Sequence, residues 1–424
     1  MKIRQLILSL SLVTSFIANA VTTRYVGGDI SLFPTYQQAN SQYKDQDGNN
    51  IELLPYLHEI GMNAMRVRLF VNPSGYTVEN GVKKPDSNVC QDLPYIIPLC
   101  QDILTNGFDL MLDFHYSDTW ADPAKQYIPD AWKNLTDAEL VQKIYEYTKE
   151  SLLTLRANGI TPKFIQPGNE ISYGMLWAAY GETDSGKNHA YINGNTAAWT
   201  RFGDLLRSAI NACREVCPES EIIIHTERVA QVDVLTNFYK QMQSLNIDYD
   251  IIGLSYYPYF HGNMSVLNKA LTAVESQFPN MPIMIVETGF PYAWEVQGTT
   301  QKVEYGYSLS GQDEYAHALV NTLISHPNVN GLFWWWLEYN ANGTLLENWY
   351  NAPLFDSRDG KATPALKTIA SFSAPDAGIE GILDRGNSRF NQWYDLQGRK
   401  INTPRSPGLY IVNGEKVFFR NSGK

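Results

Sequence analysis

Eight times along the chain a short apolar or β-branched run is followed by a longer stretch, and this alternation constrains the fold more than any other feature. The runs are Tyr25–Ile30, Ala64–Phe70, Leu110–Phe114, Phe164–Gln166, Ile222–His225, Ile251–Leu254, Ile283–Val286 and Leu332–Trp335. Short continuous apolar runs of this kind suit strands buried on both faces of a parallel sheet. The intervening segments carry a helical period. In Leu140–Ala157 the apolar positions are Leu140, Val141, Ile144, Tyr147, Leu152 and Leu153, and Trp199–Ala212 is similar. Eight βα units predict an α/β protein with a closed (β/α)8 TIM barrel. A doubly wound open sheet is the alternative, but no Gly-rich phosphate turn in dinucleotide spacing follows the first run.

The two ends of the chain have a different texture. Lys2 and Arg4 precede the apolar run Leu6–Ile17, and Ala18-Asn19-Ala20 supplies an A-x-A cleavage signature. The run is shorter than the roughly 20 apolar residues a bilayer requires, so residues 1–20 read as a cleaved signal peptide. Around Ser371–Gly381 the composition turns to Ser, Ala, Pro and Gly, which reads as a linker. Short alternating pieces follow at Gln392–Leu396, Gly408–Val412 and Lys416–Arg420. The expected organisation is a leader (1–20), a catalytic barrel (21–373) and a linker with a small β-rich C-terminal tail (374–424).

Charge and cysteines narrow the function classes. With 44 acidic and 33 basic side chains the net charge is −11, and no Lys/Arg-rich run is present, so a nucleic-acid partner is not expected. The chain is expected to act as a monomer. Its 10 Trp and 26 Tyr suit stacking on a flat ligand face. Cys90, Cys100, Cys213 and Cys217 could oxidise in an exported protein, locally as Cys90/Cys100 and Cys213/Cys217, with connectivity left open. Their spacing is not that of a zinc site. No metal and no cofactor are expected.

Barrel enzymes place their chemistry where strands end at the C-terminal rim. Here the strand ends carry Asp29; Arg66 and Arg68, which share a face by period-two alternation; Asp113, His115, Asp118, Trp120, Asp122 and Lys125; Asn169 and Glu170; His225; Ser255, Tyr256 and Tyr257; Glu287; and Trp334-Trp335-Trp336. Three βα units separate Glu170 from Glu287, placing one after strand four and the other after strand seven, across the mouth. Opposed carboxylates are what glycoside hydrolysis needs: one protonates the leaving oxygen, the other attacks the anomeric carbon or activates water. An Arg near Glu287 would keep that group ionised.

Several strand-end motifs together resemble one family. Asp113-Phe114-His115-Tyr116-Ser117-Asp118-Thr119-Trp120-Ala121-Asp122-Pro123 is similar to the strand-three signature of glycoside hydrolase family fifty-three, the endo-β-1,4-galactanases. Gly27-Gly28-Asp29-Ile30-Ser31, Arg66-Val67-Arg68-Leu69, Gln166-Pro167-Gly168-Asn169-Glu170, Ser255-Tyr256-Tyr257-Pro258, Val286-Glu287-Thr288 and Ala352-Pro353-Leu354-Phe355-Asp356 resemble its other segments in the same order. The resemblance implies endo-cleavage of β-1,4-galactan in type I arabinogalactan with retention, Glu170 as acid/base and Glu287 as nucleophile. It also implies that Asp122, Pro123, Ala124 and Lys125 line a substrate subsite. Of the strand-end residues, Asp29, Arg68, His115, Asp118, Trp120, Asn169, Tyr256 and Trp335 are expected to contact substrate as well. Glycanases of mannan, glucan or xylan share the carboxylate pair, and a non-catalytic sugar-binding barrel would keep the aromatics. The chain departs from the family's pattern at Trp334-Trp335-Trp336-Leu337-Glu338, at His225-Thr226-Glu227-Arg228 and at Phe260-His261-Gly262. Tyr292–Gly311 lacks the dense run of oxygen ligands that calcium needs. The tail resembles C-terminal segments of exported Gram-negative enzymes, implying a periplasmic, cell-surface or extracellular location.

Overall fold

The computed structural model describes residues 23–79, 81–180, 190–192, 196–339 and 351–374, together with the backbone of 393–394, 400–401, 408–412 and 415–419. The leader assigned to residues 1–20 lies outside these. The chain divides into two compact units, Met1–Ala374 and Pro375–Lys424.

The larger unit is an eight-stranded parallel barrel. Its strands are β1 (Tyr25–Asp29), β2 (Ala64–Leu69), β3 (Asp109–Phe114), β4 (Phe164–Pro167), β5 (Glu221–Thr226), β6 (Ile251–Tyr256), β7 (Ile283–Thr288) and β8 (Val329–Trp334). Each pairs with its sequence neighbours, and β1 closes on β8. A helix follows every strand: α1 (Leu53–Glu59), α2 (Leu93–Thr105), α3 (Asp137–Ala157), α4 (Thr196–Val216), α5 (Val232–Ser244), α6 (Met264–Gln277), α7 (Leu309–Ile324) and α8 (Pro364–Ala370). Helix α3 starts on a capping box, in which the Thr136 hydroxyl accepts from the Glu139 N–H while the Glu139 carboxylate accepts from the Thr136 N–H. The eight apolar runs are thus the eight barrel strands. At Gly27 a side chain is impossible, because an added Cβ would lie 1.6 Å from the Ala64 carbonyl oxygen on β2.

Alternation along the strands sorts the barrel into layers. Outward residues such as Val67, Leu112, Ile165 and Ile224 pack under the helices. Inward residues Ala64, Met111, Phe164, Ile223, Ile251, Met284, Val286 and Phe333 form a separate apolar floor. Two positions further along, the inward residues are Arg66, Asp113, Gln166 and His225, all buried. The floor excludes water beneath this polar layer, so its groups must satisfy one another.

Strand β7 breaks the alternation. Leu254 pairs with Ile285 but Ser255 pairs with Glu287, and on the other side Leu332 pairs with Ile285 but Trp334 with Thr288. One extra residue therefore sits in β7. Without this bulge, the inward Met284 and Val286 would leave Glu287 facing the helices; with it, Glu287 faces the mouth.

The smaller unit contributes an antiparallel sheet of β9 (Trp393–Tyr394), β10 (Lys400–Ile401), β11 (Gly408–Val412) and β12 (Glu415–Phe419), in the order β10-β9-β11-β12. All four cysteines are free thiols, so neither local pairing forms.

Candidate active site

A cleft of about 830 Å³ lies over the C-terminal ends of the barrel strands, and Glu170 and Glu287 both line it. Glu170 reaches the mouth through an unusual backbone path. Gly168 has φ 105° and Glu170 itself has φ 48°. A left-handed conformation at a non-glycine residue is costly and clusters at functional positions. A Cβ at residue 168 would lie 2.7 Å from Ile171 Cγ2, so only glycine fits the turn.

The polar layer holds the two carboxylates from below. Arg66 donates to Asp113 at 2.8 Å and to Asn169 Oδ1 at 2.9 Å, and its Nη1 is 3.7 Å from Glu287 Oε1. Asn169 Nδ2 in turn donates to the Ala121 carbonyl, which fixes the amide orientation. Ser255 Oγ lies 2.7 Å from Glu170 Oε1 and 3.2 Å from Glu287 Oε2. His225 Nε2 is 2.8 Å from the same hydroxyl. The other ring nitrogen, Nδ1, receives the Glu170 backbone N–H and faces the Gln166 amide nitrogen. Asn169 Oδ1 also lies 3.1 Å from Nδ1, but it already accepts from Arg66. The Glu170 peptide N–H can only donate, so we assign Nδ1 as its acceptor and the ring hydrogen to Nε2, which then donates to Ser255.

These surroundings set the protonation states. Burial, with Glu287 and Glu227 close by, pushes Glu170 well above the ordinary carboxylate range. Burial pushes Glu287 up to about 7, and Arg66 pulls against it. Burial, reinforced by Arg66, drives His225 well below its usual value, so its ring is neutral. For Asp113, burial acts upward, but Arg66 and His115 outweigh it and the carboxyl is held low. The pair is thus ordered: Glu170 holds its proton more tightly, and Glu287, beside Arg66, is the first to ionise.

Glu170, His225 and Glu287 each offer a ligand-type atom, all within 4.8 Å of one another. With its Nε2 hydrogen committed to Ser255, His225 has no lone pair aimed at that cluster. The two carboxylates, by contrast, bring an oxygen each within 4.8 Å of one another, closer than the roughly 6.5–9.5 Å pair of an inverting glycosidase.

A family model described as glycosyl hydrolase family 53 matches residues 25–369. The chain belongs to glycosyl hydrolase family 53. An arabinogalactan endo-beta-1,4-galactanase of Cellvibrio japonicus is 30% identical over 366 residues, covering 81% of this chain and 90% of that protein. An uncharacterised protein of Niallia circulans is 31% identical over 371 residues, covering 84% and 94%. The catalytic domain of a family 53 protein from Ignisphaera aggregans superposes with a TM-score of 0.69 at 29% identity, covering 83% of this chain and 97% of that one.

Within this family 53 barrel the residues singled out in the sequence fall into three groups. Arg68, His115, Trp120, Asp122, Pro123, Ala124, Asn169 and Trp335 line the cleft with the carboxylates. Trp120 is fixed by its Nε1 donating to Asp86 at 2.8 Å and by the Arg68 guanidinium 4.6 Å from its ring. His115 faces Asp113 through Nε2 and accepts the Ala121 N–H at Nδ1. A second group supports the wall from behind: Asp29 is buried against Arg68 at 2.8 Å, and Lys125 pairs with Asp122. The third group does not reach the cleft. Asp118 accepts the backbone N–H groups of Asn72 and Asp130 and ties two loops together. Tyr256 is buried behind the barrel wall, stacked on Tyr315 of α7 and donating to the Gly262 carbonyl. Because Ser255 faces inward, alternation sends Tyr256 outward, and it is Tyr257 that lines the cleft.

Other cleft residues were not anticipated. Thr77 and Glu79 come from a hairpin, Tyr76–Glu79 with Val82–Pro85, whose signal was the Asn80-Gly81 dipeptide between alternating residues. Glu227, two residues beyond His225, also lines the cleft. Its Oε1 accepts from the Ser172 hydroxyl at 2.6 Å.

Proposed function

We propose that the chain is an endo-acting, retaining β-1,4-galactanase acting on the galactan of type I arabinogalactan, with Glu170 as acid/base and Glu287 as nucleophile. The observation that carries this reading is the pair itself: two carboxylates facing one cleft within 4.8 Å, with unequal surroundings, in a family 53 barrel. The substrate class follows the Cellvibrio japonicus relative, whose name gives that activity.

In the first step a Glu287 oxygen forms a bond to the anomeric carbon. The glycosidic C–O bond breaks, its electron pair goes to the leaving oxygen, and that oxygen takes the proton of Glu170. In the second step water attacks the same carbon and gives its proton to Glu170. The ester bond breaks and its electron pair returns to Glu287. Asn169, held by Arg66 and Ala121, is placed beside the cleavage site to meet the 2-hydroxyl. Trp120 and Trp335 offer flat faces for sugar rings.

Among the described residues no helix is long and apolar enough to cross a membrane. Together with the leader and tail of the sequence, this supports an exported enzyme working outside the inner membrane. Incubation with galactan, mannan, xylan and β-1,4-glucan, followed by sizing of the products, tests the substrate. Galactan is expected to yield oligosaccharides early and faster than the others. Inert galactan with rapid cleavage of another polymer would overturn the substrate assignment.

A further inference from the structure

The hydroxyl of Ser255 is placed between both carboxylates and has one hydrogen to give. Its oxygen lies 2.7 Å from Glu170 Oε1 and 3.2 Å from Glu287 Oε2, and it is fully buried on β6. Its acceptor side is already engaged. His225 Nε2 stands 2.8 Å away and is assigned the ring hydrogen, because Nδ1 accepts the Glu170 peptide N–H while its oxygen neighbour, Asn169 Oδ1, is taken by Arg66. A serine hydroxyl whose lone pair is taken by a fixed donor turns its own O–H toward an acceptor. Two acceptors compete, and the negatively charged one wins because charge-assisted hydrogen bonds are about twice as strong as neutral ones.

We propose that Ser255 is a positioning residue that follows the negative charge through the catalytic cycle, donating to Glu287 before the first step and to Glu170 before the second. This rests on the assignment of Glu170 and Glu287 given above. In the resting enzyme Glu170 holds the proton and Glu287 the charge, so the Ser255 O–H points to Glu287. Once Glu287 is esterified it has lost its charge, while Glu170 has given up its proton and gained one. Rotation about the Ser255 Cβ–Oγ bond alone then brings the same O–H to Glu170, with the oxygen staying in place against His225. No proton is exchanged with Ser255 or His225. The neutral ring supplies a constant donor, so the hydroxyl keeps its direction of donation whichever carboxylate it serves. The chain thereby stabilises a charge at two places with one group.

Pre-steady-state kinetics on an aryl β-galactobioside with a good leaving group separates the two steps. The burst of released phenol reports the first, and the steady state that follows reports the second. In Ser255→Ala both are expected to fall, each by about 10- to 100-fold, as befits loss of one hydrogen bond to a charged group. Ser255→Thr, which keeps the hydroxyl, is expected to bring both phases back to within a few fold of the wild type. Slowing of one phase alone in Ser255→Ala, or of neither, would overturn the switch. So would a Ser255→Thr enzyme as slow as Ser255→Ala, because packing rather than the hydroxyl would then be at fault. A wild-type enzyme with no burst, and no covalent adduct by mass spectrometry, would strike at the double displacement itself, which distinguishes that failure from failure of the switch.

Discussion

At the end of β4 the carboxylate arrives on a left-handed residue, Glu170, after a glycine that nothing else can replace; at the end of β7 it arrives on Glu287, turned inward by one extra residue in the strand. The surroundings differ as much as the backbones. Glu170 has other carboxylates for neighbours, Glu287 and Glu227, and these add to burial in holding its proton. Glu287 has Arg66 at 3.7 Å, itself fixed by Asp29 and Asp113, and this guanidinium favours the charged form. One chemical group thus acquires two roles from its neighbourhood, as the double displacement requires. The comparison also shows that the two positions carry different liabilities: one is set by turn strain, the other by strand register and a buried cation.

The harshest way to probe this asymmetry is to remove each carboxylate. Glu287→Ala is expected to lower galactan turnover by at least about 10⁴-fold while the circular dichroism spectrum stays unchanged, because no other group can form the covalent bond. Full residual hydrolysis would end the assignment. Glu170→Ala is expected to lose about 10²- to 10⁴-fold on galactan, the range for general acid–base catalysis. With an aryl galactoside whose leaving group needs no proton, its burst phase should survive nearly intact. A burst lost to the same degree as galactan turnover would contradict the acid role.

Gentler substitutions sharpen the contrast. Gly168→Ala places a Cβ against Ile171 at a φ that L residues avoid, and a loss of about 1–3 kcal/mol in stability is expected, read by calorimetry. An unchanged Tm would show that the β4 turn is not under the constraint described. The smallest expected effect concerns pH. The acidic limb of kcat/KM follows ionisation of Glu287, which Arg66 promotes. Arg66→Lys keeps a charge but loses the fixed fork, so Glu287 should titrate higher and the acidic limb should move to higher pH. Movement of that limb to lower pH would show that Arg66 does not govern Glu287.

Much of this architecture was legible in the residues because a parallel barrel writes its strands as apolar runs and its site as the inward positions next above them. Arg66, Asp113 and His225 follow Ala64, Met111 and Ile223 by two, so the polar layer can be read once the runs are found. Reading fails where the backbone leaves the two-residue period. The β7 bulge is invisible in Ile283–Thr288, where plain alternation would have turned Glu287 toward the helices. The Ser255-Tyr256-Tyr257 motif points to Tyr256, although alternation from Ser255 places it outside. Beyond the strand ends no period applies, so nothing in the sequence separates Asp118, which clamps two loops, from its cleft-lining neighbours. The hairpin that brings Thr77 and Glu79 to the rim had a turn signal, but no apolar run to draw attention to it.

The division of labour proposed for the pair requires that Glu287 bonds to sugar while Glu170 handles the proton. Inactivation with a 2-deoxy-2-fluoro-β-galactosyl reagent bearing a good leaving group, followed by peptide mapping, tests this directly. A single label is expected on the peptide carrying Glu287. A label on Glu170 or Glu227, or rapid turnover to an α-configured product with no adduct, would contradict it.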